Sequence, residues 1–312
     1  MSAQISYGKA QISLYRTYAS PMSGLRPIPE SAFTGRDNII FAAEVDVEVF
    51  GDNFMPAYTQ GDNSNVVATD TMKNFVLKKA LEFGGSTLEG FLDFLGQQFL
   101  ATYPQMQTLR LTGKEQPFTA ARVPGRDSET FHGSEVLFSR SHNDYAVAVL
   151  DMEREGSGTR ITAHRSGRVG LQLIKVTGSA FAQFVRDEHT TLPERVDRPL
   201  FIYLDVYWKY ADAEQMTAPD LSNYIAAEQV RDFVQVVFHD FVSMSIQHLV
   251  HEMGTRLLER FPQMAEVTFE AQNHLWDTVA TSERDPKVRV YTDPRPPYGT
   301  IGLTLRRDEP RA

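Results

Sequence analysis

The sequence predicts an α+β fold made of two ββααββ units, each an antiparallel sheet with two helices on one face. Two observations lead there. Apolar and polar residues alternate in paired runs before and after helical stretches, and this order occurs twice along the chain. Between the two occurrences lies Glu155-Gly-Ser-Gly158, a composition break that divides the chain into residues 1–157 and 158–312.

In the first half, residues 6–19 read as a strand, with Ile12, Leu14 and Tyr15 among polar positions. In 39–51, Ala43, Val45, Val47 and Val49 alternate with Glu44, Asp46 and Glu48, so one face is buried and one is wet. A helix follows Asn65-Val-Val-Ala-Thr-Asp-Thr-Met-Lys-Asn74. Met72, Phe75, Val76, Ala80 and Phe83 recur at helical spacing, and Gly84-Gly85 stops the run. Thr69, Asp70 or Thr71 can cap this helix through a side-chain oxygen. Alternatively, the free N–H groups of the helix start can hold an anionic ligand. Ser86-Thr-Leu-Glu89 has the capping-box pattern and opens a second helix, with Leu88, Phe91, Leu92, Leu95 and Phe99 on one face. It ends near Tyr103-Pro104. Strands follow near 106–119 and 135–153, with a turn at Asn143-Asp144.

The second half repeats the order, with strands near 166–178 and 200–210. Ile202, Leu204, Val206 and Trp208 alternate there with Tyr203, Asp205 and Tyr207. The helical region 226–261 exceeds the usual ~20 residues, which predicts a break near Phe241–Ser245 with Ser243 or Ser245 as the cap. Strands near 265–277 and 286–305 close the unit. The halves share pattern, not visible sequence identity. The sheet face away from the helices reads as apolar enough to want a partner, which predicts a homo-oligomer.

Composition narrows the function. The 312 residues carry a formal net charge of −9, which argues against a nucleic-acid binder. There is no cysteine, which excludes disulfides and thiolate chemistry. The start, Met1-Ser-Ala-Gln-Ile-Ser-Tyr-Gly-Lys, lacks a signal-peptide core, and Asp308-Glu-Pro-Arg-Ala312 is not a peroxisomal address. No apolar run reaches the ~20 residues of a membrane span. The expectation is a cytoplasmic protein.

Several residues can carry chemistry. Lys9 is by default a solvated charge, but buried beside polar partners it exchanges protons. Phe181 is either core or a platform for a flat heterocycle. Arg198 is either a surface ion pair or a bidentate grip on a planar anion. Gln247 means nothing if exposed and offers a donor and an acceptor if buried. His274 is a core histidine or a proton relay. His248 and His251 with Glu252, and His239 nearby, lack the order of zinc proteases, so a solvated helix face competes with a metal site.

Taken together, Tyr7-Gly-Lys9, Asn65-Val-Val-Ala-Thr-Asp-Thr-Met-Lys-Asn74, Phe181 through Leu192, Asp197-Arg198, Ser245-Ile-Gln247, Asn273-His274 and Pro297-Tyr-Gly-Thr-Ile-Gly-Leu303 resemble the urate oxidase (uricase) family. The resemblance spans nearly the whole chain. It implies a tandem tunnelling fold, two chains forming a sixteen-stranded barrel and two barrels forming a homotetramer. The implied reaction is oxidation of urate by O₂ and water to 5-hydroxyisourate and H₂O₂, with no metal or organic cofactor. Lys9, Thr69 and His274 would form the proton relay. Phe181 would stack on urate, and Arg198 and Gln247 would grip its edges with the backbone of Ile246. Thr69 and Asp70 would reach the ligand from a neighbouring chain. Asn273 would hold O₂ or water.

Two residues depart from the family pattern. The family has Asn-x-His, whereas Asn273 and His274 are adjacent, so a bulge or shift is expected and Gln272 competes for the asparagine role. Ile246 stands where valine is common. Two rival functions remain, a metal-dependent hydrolase of purines or pterins on the same fold and a non-catalytic purine-binding protein. The first would generally use a metal with cysteine or histidine ligands. The second would need Phe181, Arg198 and Gln247 but neither Lys9 nor His274.

Overall fold

The computed structural model describes residues 4–125, 129–140 and 143–307. The signals sought at Met1–Ala3 and Asp308–Ala312 lie outside the described residues. The chain forms two compact units. One comprises 1–27, 33–167 and 212–226; the other comprises 28–32, 168–211 and 227–312.

The first unit contains strands β1 (Ser6–Thr17), β2 (Ile40–Phe50), β3 (Thr108–Glu115), β4 (Thr119–Pro124), β5 (Phe131–Ser139) and β6 (Tyr145–Glu155), and the start of β7 (Gly158–Lys175). Its helices are α1 (Met55–Thr59), α2 (Thr69–Lys79), α3 (Leu88–Thr102) and α4 (Glu214–Thr217). The main sheet runs β1-β2-β3-β6, with antiparallel neighbours, and β4-β5 is a separate hairpin. The second unit holds the rest of β7, then β8 (Leu200–Tyr210), α5 (Ala227–Asp240), α6 (Ile246–Arg260), β9 (Met264–Asn273), β10 (Thr278–Thr281), β11 (Arg289–Tyr291) and β12 (Gly299–Arg306). Its strand order is β7-β8-β9-β12, with β10-β11 as a small arm.

The predicted alternation places the core. Val45, Val47 and Val49 on β2 face the helices with Leu92, Leu95, Phe99, Leu109 and Leu111, all essentially buried. Burial of one such side chain stabilises by about 1.5–3 kcal/mol. In the second unit Ile202, Leu204, Val206 and Trp208 do the same with Leu249, Met253, Leu257 and Phe269.

The two units also reuse three local devices. The first is a left-handed residue within a strand whose N–H meets an aspartate on the neighbouring strand; in β1 it coincides with a bulge between Lys9 and Ile12. Gln11 has φ 58° and donates its N–H to Asp46 Oδ1 at 2.6 Å; Gly170 has φ 78° and donates to Asp205 Oδ1 at 2.6 Å. The second is a glycine nine residues into a fifteen-residue helix. A Cβ on Gly96 would sit 2.1 Å from Met152 Sδ, and one on Gly254 would sit 2.8 Å from Leu305 Cδ1, so each helix packs close to its sheet. The third is a cation from a strand on the carbonyls that end each long helix. Arg16 donates to Ala80 and Phe83, and Arg154 to Leu100, Tyr103 and Met106. Lys175 donates to Phe238, His239 and Phe241, and Arg307 to Leu258, Phe261 and Met264. Those carbonyls have no partner within the helix, and a cation there also meets the negative end of the dipole.

The helix break falls at 241–245 and Ser245 caps α6 by accepting from His248 N–H, both as predicted. Four readings are corrected. First, α2 begins at Thr69 behind Ala68, with no side-chain cap, so none of Thr69, Asp70 and Thr71 caps it. Second, Thr87 rather than Ser86 caps α3, through Gly90 N–H. Glu89 is then one residue too early to reach back. Its carboxylate turns inward to accept from Ser166 Oγ and Tyr224 OH, both at 2.6 Å. Third, the strand predicted near 286–305 breaks into β11 and β12, because β10-β11 leaves the main sheet as a hairpin; the strand near 106–119 is β3, and β4-β5 forms a second hairpin beyond it. Fourth, the outer sheet face is charged rather than apolar in the first unit. Lys114 pairs with Glu44, and Arg110 makes a bidentate pair with Asp151.

Candidate functional site

In the first unit the site begins at the β1 bulge. Residues facing each other across an antiparallel pair share a sheet face. Lys9 faces Val47 and Tyr7 faces Val49, so both lie on the helix-covered face. Beyond the bulge, Ile12 faces Val45 and Leu14 faces Ala43, also on that face. Strict alternation would have turned either Lys9 or Ile12 outward; the extra residue keeps both inward.

Half-buried Lys9 thereby faces the start of α2. Asp70 is held below the usual carboxylate range, first by the hydrogen bond and charge of Lys73 and also by the charge of Lys9. Asp70 accepts from Asn74 as well, at 3.1 Å. With no side-chain cap at Ala68, the first-turn N–H groups of α2 stay available for an anion. Tyr7 OH accepts the Val67 N–H at 3.2 Å, which ties the segment leading into Thr69 to the Lys9 strand. Burial pushes the Tyr7 phenol up.

In the second unit the segment 179–181 is laced on both sides. Arg198 N–H donates to Ser179 O, and Phe181 and Arg195 exchange backbone bonds. On the other side Ala180 N–H donates to Ser243 O, just ahead of the α6 cap. Asp197 accepts from Thr177 Oγ1 at 2.8 Å and Gly178 N–H at 2.7 Å, fixing the turn beside Arg198. These hydrogen bonds hold it below the usual carboxylate range.

The Arg198 guanidinium sits 5.5 Å from the Phe181 ring centre. It makes no salt bridge among the described residues, and its buried Nε has no hydrogen-bond partner. Burial lowers its pKa. Arg198, Asn273 and His274 line one cavity of about 220 Å³ together with Arg195, Trp276 and Tyr291. The Oδ1 of Asn273 is also buried without a partner.

His274 is 5% exposed, and burial pushes it toward the neutral imidazole. It stacks between Tyr203 at 3.8 Å and Tyr298 at 3.9 Å, and its Nε2 lies 3.3 Å from Gln272 Oε1. No bulge is needed at Asn273. β9 pairs in unbroken register with Ile202 and Gly299 there, and the strand then ends. Alternation ceases at that point, so the adjacent Asn273 and His274 both line the cavity. Gln272 is exposed and points to the imidazole instead.

The structure thus brings Lys9, Thr69 and Asp70 together in one unit and Phe181, Arg198, Asn273 and His274 in the other. Ile246 is buried and Gln247 exposed at the first turn of α6, outside the lining of that cavity. Sequence reasoning missed Tyr203, Tyr298, Trp276 and Tyr291. Tyr203 was legible as the outer position of an alternating strand, whereas Tyr298 reaches His274 only through β12 pairing. Among the described residues no group of three or more metal-ligating side chains occurs. His248 packs against Phe241 and takes the Met244 N–H on Nδ1.

The sequence profile of the uricase family matches residues 5–143 and again 164–302. The chain belongs to the uricase family. The uricase of Haloferax volcanii is 45% identical over 305 residues, covering 98% of this chain and 99% of that protein. The uric acid degradation bifunctional protein PucL of Bacillus subtilis is 45% identical over 99% of this chain. The chain spans 62% of that bifunctional protein and 60% of a second one from Bacillus sp. TB-90. The crystal structure of Bacillus sp. TB-90 urate oxidase superposes with a TM-score of 0.93 at 45% identity, covering 97% of this chain and all of that one. The α+β architecture is therefore the tunnelling fold of the uricases. No helix among the described residues is long and apolar enough to cross a membrane.

Proposed function

We propose that this chain is a urate oxidase, converting urate, O₂ and water to 5-hydroxyisourate and H₂O₂. One observation carries the reading: a half-buried guanidinium without a carboxylate partner lies against an aromatic ring and lines a cavity with an unpartnered Asn273 oxygen. That set suits a flat, hydrogen-bonding anion. Phe181 stacks on urate, and Arg198 and Gln247 grip its edges with the Ile246 backbone. Asn273 rather than Gln272 holds O₂ or water, since only Asn273 lines the cavity.

Lys9, Thr69 and His274 relay protons. Urate is electron-rich, and removing a further proton lets it reduce O₂ directly, so the reaction needs no metal or organic cofactor. The protein supplies orientation and proton transfer. A neutral His274 suits a relay, because it can accept a proton on one nitrogen and release one from the other. We further propose a cytoplasmic homotetramer with repeats 1–157 and 158–312, in which Thr69 and Asp70 reach urate on a neighbouring chain.

The test follows the loss of urate's ultraviolet absorbance with O₂ uptake and peroxide formation, in the presence of a chelator. Stoichiometric loss and peroxide, untouched by the chelator, are expected. Activity abolished by the chelator, or urate bound without turnover, would overturn the proposal.

A further inference from the structure

The Phe181 platform has a second layer. The Phe184 ring stacks on Phe181 with centroids 5.0 Å apart and planes at 15°. Three residues along an extended chain, the two rings would point to opposite sides. Gln183 breaks the extension. It has φ 61°, a left-handed conformation that few non-glycine residues adopt, and its N–H donates to Glu194 Oε1 at 3.1 Å. That kink folds Phe184 back onto Phe181. The Arg186 guanidinium then lies 5.6 Å from the Phe184 ring centre. Cation, ring and ring are therefore in sequential contact, outside the residues that line the cavity.

We propose that Phe184 is a positioning residue for urate. It covers one face of Phe181 and fixes the tilt of that ring beside the Arg198 guanidinium, where the reading above stacks urate. The inference rests on the urate oxidase reading above and adds a residue to it. A half-exposed phenylalanine on a surface turn contributes little to the core, so its packing is spent on aligning the platform. An aromatic pair of this geometry corresponds to about a two- to tenfold change in binding.

The experiment measures urate affinity under anaerobic conditions, where binding is separated from turnover, and then steady-state KM and kcat in air. Phe184→Ala is expected to raise the anaerobic Kd and KM about three- to tenfold while kcat changes less than twofold. Phe184→Tyr, which keeps the ring, is expected to restore both within twofold. Gln183→Val, whose branched side chain resists the left-handed conformation, is expected to follow Phe184→Ala. Melting temperatures of all three variants report folding separately. Wild-type affinity in folded Phe184→Ala overturns the inference, as does failure of Phe184→Tyr to rescue. Absence of urate binding in the wild-type protein counts instead against the functional reading.

Discussion

Replacing Arg198 by methionine separates function from stability. The free protein carries a half-buried guanidinium with no salt bridge among the described residues and a buried Nε without a partner. Such an orphan costs about 1–3 kcal/mol. Methionine removes the orphan and keeps an apolar stem against Phe181, with a sulfur–ring contact of about 0.3–1.5 kcal/mol. The lost cation–π contact, at about 0.5–2 kcal/mol, offsets much of the gain. The net change is about 0 to +2 kcal/mol, so the melting temperature stays level or rises by up to about 5 °C. Binding moves the other way. Two charge-assisted hydrogen bonds to the anion are lost, at about 1.5–3 kcal/mol each. At about 1.4 kcal/mol per tenfold, urate affinity falls about 10²- to 10⁴-fold. Differential scanning calorimetry and anaerobic urate titration give the two numbers. A melting temperature lowered by more than about 5 °C, with affinity within tenfold of wild type, would refute the reasoning and make Arg198 structural.

Three further outcomes are expected. Lys9→Met keeps urate binding within a few-fold and lowers kcat by about 10²- to 10⁴-fold, the usual range for general acid–base catalysis; unchanged turnover removes the lysine from the relay. Gly96→Ala lowers stability by up to about 2 kcal/mol, because its Cβ would lie 2.1 Å from Sδ of the buried Met152 and force that side chain to repack, at about 1–3 kcal/mol against about 1 kcal/mol gained in helix propensity; denaturant unfolding checks it, and a raised midpoint counts against the tight packing. Glu89→Gln tests the buried carboxyl. Burial raises the Glu89 pKa more than Ser166 and Tyr224 lower it. With its folded pKa raised, Glu89 contributes stability that is present below about pH 4.5 and lost as pH rises through the folded value. The glutamine variant therefore gains on the wild type with increasing pH in that window. A gap between the two melting curves that does not vary with pH refutes a raised Glu89.

Much of the fold was legible because periodicity reports burial directly. Val45-Asp46-Val47 and Leu204-Asp205-Val206 were correctly placed as half-buried strands. The apolar members gave the core, but the central aspartates gave no hint that each accepts the N–H of a left-handed residue on the neighbouring strand, since that contact is a two-strand property. The duplication left a trace that pattern reading passed over. Tyr103-Pro-Gln-Met106 and Phe261-Pro-Gln-Met264 both end a fifteen-residue helix with near-identical backbone angles. The α2 start was misread because Thr and Asp are good caps anywhere near a helix end, and only geometry shows that Ala68 holds that position. For the site, residue types and order pointed to Arg198, Asn273 and His274. Their convergence depends on where β9 stops, which sequence shows only to within a few residues.

The same accounting that explains the framework also isolates the site. Buried polar groups in a folded protein are normally satisfied. Here the framework obeys that rule with its strongest groups. Asp46 and Asp205 each take the N–H of a left-handed residue, Glu89 takes two hydroxyls, and Arg16, Arg154, Lys175 and Arg307 all serve helix ends. Other buried atoms lack partners: Glu30, Arg36, Asn38 and Arg154 satisfy the remainder of their side chains elsewhere, whereas Trp208 Nε1 and Gln215 Oε1 stay unpaired apart from any shared cavity. Among the described residues Arg198 and Asn273 are the unpaired groups that line the same cavity. A donor and an acceptor kept unsatisfied around one cavity cost stability that the rest of the unit supplies. Two independent packing defects would have no reason to share a wall, whereas a cavity that takes an anion on Arg198 and a water on Asn273 accounts for the pair.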